Sequence, residues 1–307
     1  YDLLTCISNA QDLVSTNLLN HHQQVAYLAF RLSEHINLSI EQQYDTFLAA
    51  LIHDIGVLST KEKLELIETE PVTANNHAFR GAKLFERFKP LQNAANIIKF
   101  HHLPWSNGRG SAYMNEDVPF ASHIIHLADR TCTLIRSDSN IISQLPDILP
   151  TIRGQANTVF HPDLVDALFE LSKKEYIWLD LISQFSTTML FDSGLFNIHT
   201  LEIDDIVDLA MVFSHIIDFR SRFTARHSAG VAKTAERLAK LMGFSPYECK
   251  MMLIAGYLHD LGKIAISNDI LEKPSKLNLD EFNEMRAHTY YTYRLLEPLV
   301  QLKTINT

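Results

Sequence analysis

The sequence predicts an all-α protein built from two related helical halves, and three observations carry that expectation. Gly and Pro number only 10 each in 307 residues, and no Asn-Gly turn stands between alternating apolar runs, so hairpin signals are lacking. Apolar residues recur at helical spacing along the chain. The chain also matches itself. "HHQQVAYLAFRLSEHINLSIEQQYDTFLAALIHDIG" from His21 aligns without a gap on "HSAGVAKTAERLAKLMGFSPYECKMMLIAGYLHDLG" from His227, at a constant offset of 206 residues.

The elements follow in order within each copy. A helix opens at His21 or His227, with Val25-Ala26 and Val231-Ala232 at the same places. A capping box then starts a second helix, Ser39 with Gln42 and Ser245 with Glu248, where the side chains satisfy free helix N–H groups. Pro246 takes the first helical position of the second copy, where its missing N–H costs nothing. Each second helix ends in His-Asp, followed two residues later by Gly56 or Gly262, read as a helix stop. "KEKLELIETE", Lys61 to Glu70, reads most simply as a solvated helix face with alternating charge. "IDDIVDLAMVFSHIIDFRSRF" reads as an amphipathic helix leading into the second copy. So long a period means domain duplication: a first domain over 1–180, a helical linker over 181–200 and a second domain over 201–307.

Composition narrows the function classes. A hydrophobic fraction of 46% suits a globular chain. The net charge of −9 gives no footprint for long nucleic acid, but it leaves room for a small anion held by a local metal cluster. Cys6, Cys132 and Cys249 are scattered, which suggests buried thiols in a reducing compartment. No apolar run approaches the ~18 residues of a membrane span, and no signal-peptide pattern is visible. Cytoplasm is the default expectation. The chain begins at Tyr1, so a piece trimmed from a longer protein is expected.

Divalent metals acting on phosphates want His nitrogens and carboxylates converging from several elements. Adjacent helical residues do not share a face. His53 and Asp54 therefore both ligate only near the helix terminus, with the aspartate bridging two ions. Further candidates in the first copy are His21, His77 in "HAFRGAKLF", His101-His102 in "KFHHLPWSNGRG" and Asp129 in "LADRTCTLI". His123 and His126 lie on the same face as Asp129 and rank second. His35, His161, His199 and His215 are read as ordinary packed or surface residues, and Trp105, Tyr290, Tyr291 and Tyr293 as packing residues.

With those residues in place, the chain resembles the HD superfamily of metal-dependent phosphohydrolases and, within it, the HD-GYP cyclic-dinucleotide phosphodiesterases. "HSAGVA" and "YLHDLGKIAISNDILEKPSKLNLDEFNEMRAH" carry the likeness in the second copy, and "TVFHPDLVDALFEL" resembles the helix closing the first. The resemblance implies two duplicated HD-type helical domains. It puts metal ligands at His21, His53, Asp54, His77, His101, His102 and Asp129, and at His227, His259, Asp260 and His288. It implies two divalent transition-metal ions per complete site, iron or manganese foremost. Trinuclear members carry a glutamate four residues before the first histidine, where this chain has Asn17 and Phe223.

Departures from the family pattern rank the two copies. The lysine that holds a substrate phosphate is Lys263 in the second copy but Val57 in the first. The first copy's "HHLPWSNGRGSA" keeps both histidines but loses the glutamate and the Tyr-Pro of the family loop. In the second copy the paired histidines would fall beyond Thr307, given the spacing of 211 from His77 to His288. The expectation is a cyclic-dinucleotide phosphodiesterase (cyclic di-GMP or cyclic GMP-AMP type) in bacterial signalling. Lys263, Asp260 and Asp54 would be its catalytic residues, and the first copy would be metal-binding or regulatory. The alternative is a non-hydrolytic HD-fold module that binds a nucleotide or a partner protein. Expected partners are a cyclic-dinucleotide substrate and, left open, a second copy in a homodimer. Neither long nucleic acid nor a membrane is expected.

Overall fold

A computed structural model describes residues 2–12, 20–57, 59–70, 74–183, 201–220, 227–299 and 302–306. The greater part of the expected linker, together with Asn17, His199 and Phe223, lies outside these residues. The described chain is helical, as the sequence predicts, and it divides into two compact units that are not contiguous in sequence. One comprises 17–56 and 64–198; the other comprises 1–16, 57–63 and 199–307. They are called here the His53 unit and the His259 unit.

In the His53 unit, α2 (His21–His35) is the central element, packed by α3 (Ile40–Leu51), α7 (Phe120–Thr133) and α9 (Pro162–Ser172). Because neighbours cover it on several sides, its apolar residues from Val25 to Leu32 are buried almost completely. Ser39 starts α3 with both hydrogen bonds of the expected capping box. α5 (Asn75–Phe85) and α6 (Gln92–Ile98) pack on each other, and α8 (Ile141–Arg153) and α10 (Glu175–Leu181) complete the layer around α9. Trp178 of α10 is fully buried, and Asp180 accepts a hydrogen bond from the Tyr27 hydroxyl at 3.1 Å, which ties α10 to α2. α4 (Thr60–Thr69), which runs from 57–63 into 64–198, is solvated at Lys61, Glu65 and Thr69, as the sequence suggests, but buries Lys63 and Leu66.

One small departure from all-helical structure is a hairpin, β1 (Ala112–Tyr113) with β2 (Glu116–Asp117). Its turn places Met114 and Asn115 both at positive φ, 48° and 65°, as a type I′ turn requires. Met-Asn is not the Asn-Gly sequence by which such turns are recognised, so the pattern gave no signal. Tyr113 packs beside Phe100, Leu103 and Val118.

In the His259 unit, α11 (Ile203–Arg220) packs on α12 (His227–Leu241), on α13 (Pro246–Leu258) and on the tight turn Leu261–Ala265. A short α14 (Asn268–Leu271) precedes α15 (Leu279–Leu296). The second capping box, Ser245 with Glu248, forms as expected. The N-terminal helix α1 (Asp2–Asp12) packs within this unit, on α15 and the Leu261–Ala265 turn. α12 buries only Ser228, Ala232 and Ala239. Its counterpart α2 is covered by α7 and α9, and the described residues of this unit contain no equivalent of either. Cys6, Cys132 and Cys249 are all buried free thiols, as expected.

Gly56 and Gly262 have a different reason from the one the sequence suggests. Neither adopts the positive φ of a helix-ending glycine. Instead, a Cβ on Gly56 would lie 2.0 Å from the His77 carbonyl oxygen, and one on Gly262 the same distance from that of His288. Each glycine lets the His-Asp turn abut the backbone of the next ligand-bearing helix. Since both obstacles are backbone, Gly56→Ala must push α5 away and should cost ~2 kcal/mol or more, the scale of overpacking. Thermal unfolding of Gly56→Ala and Gly262→Ala should show large losses; Ser39→Ala should cost only about 1 kcal/mol, the worth of a cap.

Candidate metal centre

Seven residues from five helices, or the turns that follow them, converge in the His53 unit. His21 opens α2, His53 and Asp54 follow α3, His77 lies in the first turn of α5, His101 and His102 follow α6, and Asp129 lies in α7. These are the seven candidates of the first copy, and all are buried.

Asp54 is shared between two ligand sets. Its Oδ1 lies 3.0 Å from His77 Nε2 and 3.9 Å from His101 Nε2, while its Oδ2 lies 3.5 Å from His53 Nε2. Asp54 with His77, His101 and His102 forms one group, and His21, His53 and Asp54 form another; within each, the potential ligand atoms lie within 4.8 Å of one another. Asp129 closes the second group, its Oδ1 3.0 Å from His21 Nε2 and 3.6 Å from His53 Nε2.

The imidazoles are oriented from behind. His53 Nδ1 donates to the Ala50 carbonyl at 2.8 Å, and His101 Nδ1 to the Ile98 carbonyl at 2.7 Å. A carbonyl only accepts, so Nδ1 carries a proton and Nε2 is the atom turned to the cluster, the orientation that metal ligation needs. His102 Nε2 is buried and makes no hydrogen bond. A buried polar atom without a partner is costly, so the donor set and this orphaned nitrogen fit divalent ions.

The charges of the cluster are strongly coupled. Burial pulls the His53 imidazole down, but the carboxylates of Asp54 and Asp129 outweigh it and raise it to about 9. Burial, with His102, His77 and His53 nearby, holds His101 well below the ordinary imidazole value. Asp129 is held well below the usual carboxylate range: hydrogen bonds from His21 and His53 overcome the upward push of burial.

Two residues beside the cluster were not found from sequence. His22 is fully buried, its ring 5.2 Å from that of His53. Glu70, at the end of the run read as a solvated face, turns inward and accepts hydrogen bonds from His102 Nδ1 and His126 Nε2, each at 2.7 Å. Burial acts to raise the Glu70 carboxyl, but those two bonds hold it far below its usual range, so it is ionised. Of the two second-rank histidines, His126 joins Glu70. His123 stands apart, at 3.1 Å from the Gly110 carbonyl and edge-on to Trp105. Trp105 also packs on His161, which caps α9, so both serve packing.

The second copy gathers His227, His259 and Asp260 in the same way. Asp260 Oδ2 lies 3.2 Å from His259 Nε2 and 3.9 Å from His227 Nε2, and Oδ1 lies 3.5 Å from His288 Nε2. His259 and His288 repeat the orienting device, with Nδ1 2.7 Å from the Gly256 carbonyl and 2.6 Å from that of Met285. Lys263 Nζ donates to Asp260 Oδ2 at 2.7 Å. Bonds from His259 and Lys263 overcome burial and hold Asp260 well below the carboxylate range. The His227 side chain is 49% exposed against 6% for His21, so this cluster is open on one side among the described residues.

A helical fold carrying this cluster defines a protein with His/Asp groups that could hold metal ions. The chain belongs to the HD domain family, whose model matches residues 18–134 and 224–304. It is 30% identical to 3′3′-cGAMP-specific phosphodiesterase 1 of Vibrio cholerae over 293 residues, covering 92% of this chain and 68% of that one. It is 26% identical to 3′3′-cGAMP-specific phosphodiesterase 3 of the same organism, over 98% of this chain and 65% of that one. The chain thus spans about two thirds of the length of each. A cyclic di-GMP phosphodiesterase of Thermotoga maritima is 32% identical over 48% of this chain and 37% of its own length. The crystal structure of a cyclic GMP-AMP specific phosphodiesterase of V. cholerae shares the fold, with a TM-score of 0.69 at 21% identity over 97% of this chain and 79% of that one. Among the described residues, no helix is long and apolar enough to cross a membrane.

Ions that take the place of protons on these histidines must bind more tightly as pH rises. With His53 raised to about 9, the metal-free imidazole is protonated at neutral pH and must lose that proton to ligate. Titration of chelator-treated protein with Mn²⁺ in two buffers of different ionisation enthalpy should reveal proton release, with affinity increasing from pH 6 towards pH 8. His101→Ala should abolish most of the rise in unfolding temperature on ion addition.

Proposed function

We propose that this chain is a metal-dependent phosphodiesterase for cyclic dinucleotides, with catalysis assigned to the His259 unit and a metal-binding, weakly active or regulatory role to the His53 unit. The observation that carries this reading is the Asp-centred ligand set that occurs twice and differs at one chemically decisive place, Lys263 against Val57. The relatives named for cyclic GMP-AMP and cyclic di-GMP support the substrate class.

His21, His53 and Asp129 would hold one ion and His77, His101 and His102 a second, with Asp54 between them. Iron and manganese suit such a donor set. When bound, such ions supply activated water at neutral pH and neutralise charge on the phosphate. Hydrolysis adds water across the phosphodiester: the water oxygen joins phosphorus, the bond to the 3′ oxygen breaks, and that oxygen takes up a proton. Lys263 would hold a non-bridging phosphate oxygen and stabilise charge that grows in the transition state. Its present partner, Asp260, keeps the ammonium at the cluster's edge. Asp260 would help hold ions in that unit as Asp54 would in the other. Val57 offers no donor, and the seven ligand candidates of the His53 unit are all buried, which favours a non-hydrolytic role for that unit.

Two measurements follow. Elemental analysis of metal-loaded protein should find about two transition-metal ions on the His53 unit; a preparation that stays metal-free after iron or manganese loading removes the basis for the site. Lys263→Ala in the protein at its native length should lower hydrolysis of cyclic GMP-AMP by ~10²–10³, the usual effect of removing one transition-state donor. An unchanged rate would transfer catalysis away from Lys263.

A further inference from the structure

Each well-oriented histidine of the two clusters is held by a carbonyl three residues behind it, except His102. His53, His101, His259 and His288 all use that local device, three of them just after a helix and His288 within one. His102 directly follows His101, which takes the Ile98 carbonyl. The partner of His102 Nδ1 comes instead from 32 residues upstream, as the Glu70 carboxylate.

Glu70 is set up for that contact. It directly follows α4 and sits at φ 42°, a left-handed conformation that a glutamate adopts only when its surroundings enforce it. His102 and His126 share its Oε1, Arg130 lies 3.6 Å from its Oε2, and Arg130 also donates to the Leu66 carbonyl of α4 at 2.8 Å. The end of α4 is therefore fastened to α7 through the same carboxylate that holds the metal-ligand candidate. An ionised carboxylate accepts only, so His102 must carry its proton on Nδ1 and present Nε2, which is buried without a hydrogen bond.

We propose that Glu70 is a positioning residue for the metal centre of the His53 unit: it fixes the tautomer and orientation of His102, so that ion binding depends on how the end of α4 is seated. This rests on the metal-binding reading above. Glu70 together with His102 and His126 could also be taken as ligands of an additional cation. The Arg130 guanidinium beside the same carboxylate already supplies positive charge there and opposes a second cation.

The test measures Co²⁺ binding by the full chain and by its Glu70→Gln and His126→Ala variants, following stoichiometry, affinity and the visible d–d absorption. Loss of an outer carboxylate typically weakens metal affinity 10–100-fold. Glu70→Gln should show that loss with an altered absorption spectrum and an unchanged number of ions; His126→Ala should retain near-native affinity. If Glu70→Gln binds Co²⁺ as the parent does, or loses one ion while the others keep their affinity, the proposal is overturned. If the parent binds no ion at all, the metal-binding reading fails instead. Should Glu70→Gln not fold, ¹⁵N-histidine spectra of the Zn²⁺-loaded parent decide: His102 must be protonated at Nδ1 and ligated at Nε2, and the reverse arrangement overturns the assignment.

Discussion

Everything in the His53 unit is arranged around the Asp54 carboxylate. A carboxylate and several imidazoles taken out of water would be severely destabilising without compensation. Asp54 sits where five histidines from four segments, His21, His53, His77, His101 and His102, gather about one carboxyl group. That position follows from a backbone event: the turn after α3 must touch the start of α5, and only a glycine at position 56 leaves room for it. The same contact between Gly262 and the His288 backbone sets Asp260 in the other unit. The packing of two backbones and the chemistry of one carboxylate are thus a single constraint.

The two units use that constraint differently. In one, the ligand residues are enclosed by α2, α6 and α7, and no cationic side chain stands at position 57. In the other, a lysine reaches Asp260 directly and the first histidine is half exposed. An enclosed cluster suits tight retention of ions. An open cluster with a lysine at its edge suits a phosphate that arrives, reacts and leaves. One duplicated scaffold can serve both ends because the differences lie in side chains, while the His-Asp turn and its glycine are kept.

Much of this was legible in the sequence because it is local or repeated. Both capping boxes and the candidates His21, His53, Asp54, His227, His259 and Asp260 lie in short segments that recur at a fixed offset, while His77, His101, His102, Asp129 and His288 came from the family resemblance. What was not legible depends on distance. Glu70 meets His102 and His126 from 32 and 56 residues away, and within "KEKLELIETE" it looks like one more solvated charge. The burial of His22 depends on how α2 is covered by helices far along the chain. Gly56 was recognised, but as a helix stop; its actual demand is a missing Cβ opposite a backbone oxygen, which no local pattern records. The small hairpin escaped because its positive-φ turn is built from Met114 and Asn115.

The central claim is that one aspartate bridges two ions. Anomalous diffraction from crystals of the manganese- or iron-loaded protein, collected at the metal edge, tests it most directly. The account predicts two peaks flanking the Asp54 carboxylate, one beside His21, His53 and Asp129 and the other beside His77, His101 and His102. A single peak, or peaks that leave Asp54 without contact to either ion, would contradict it.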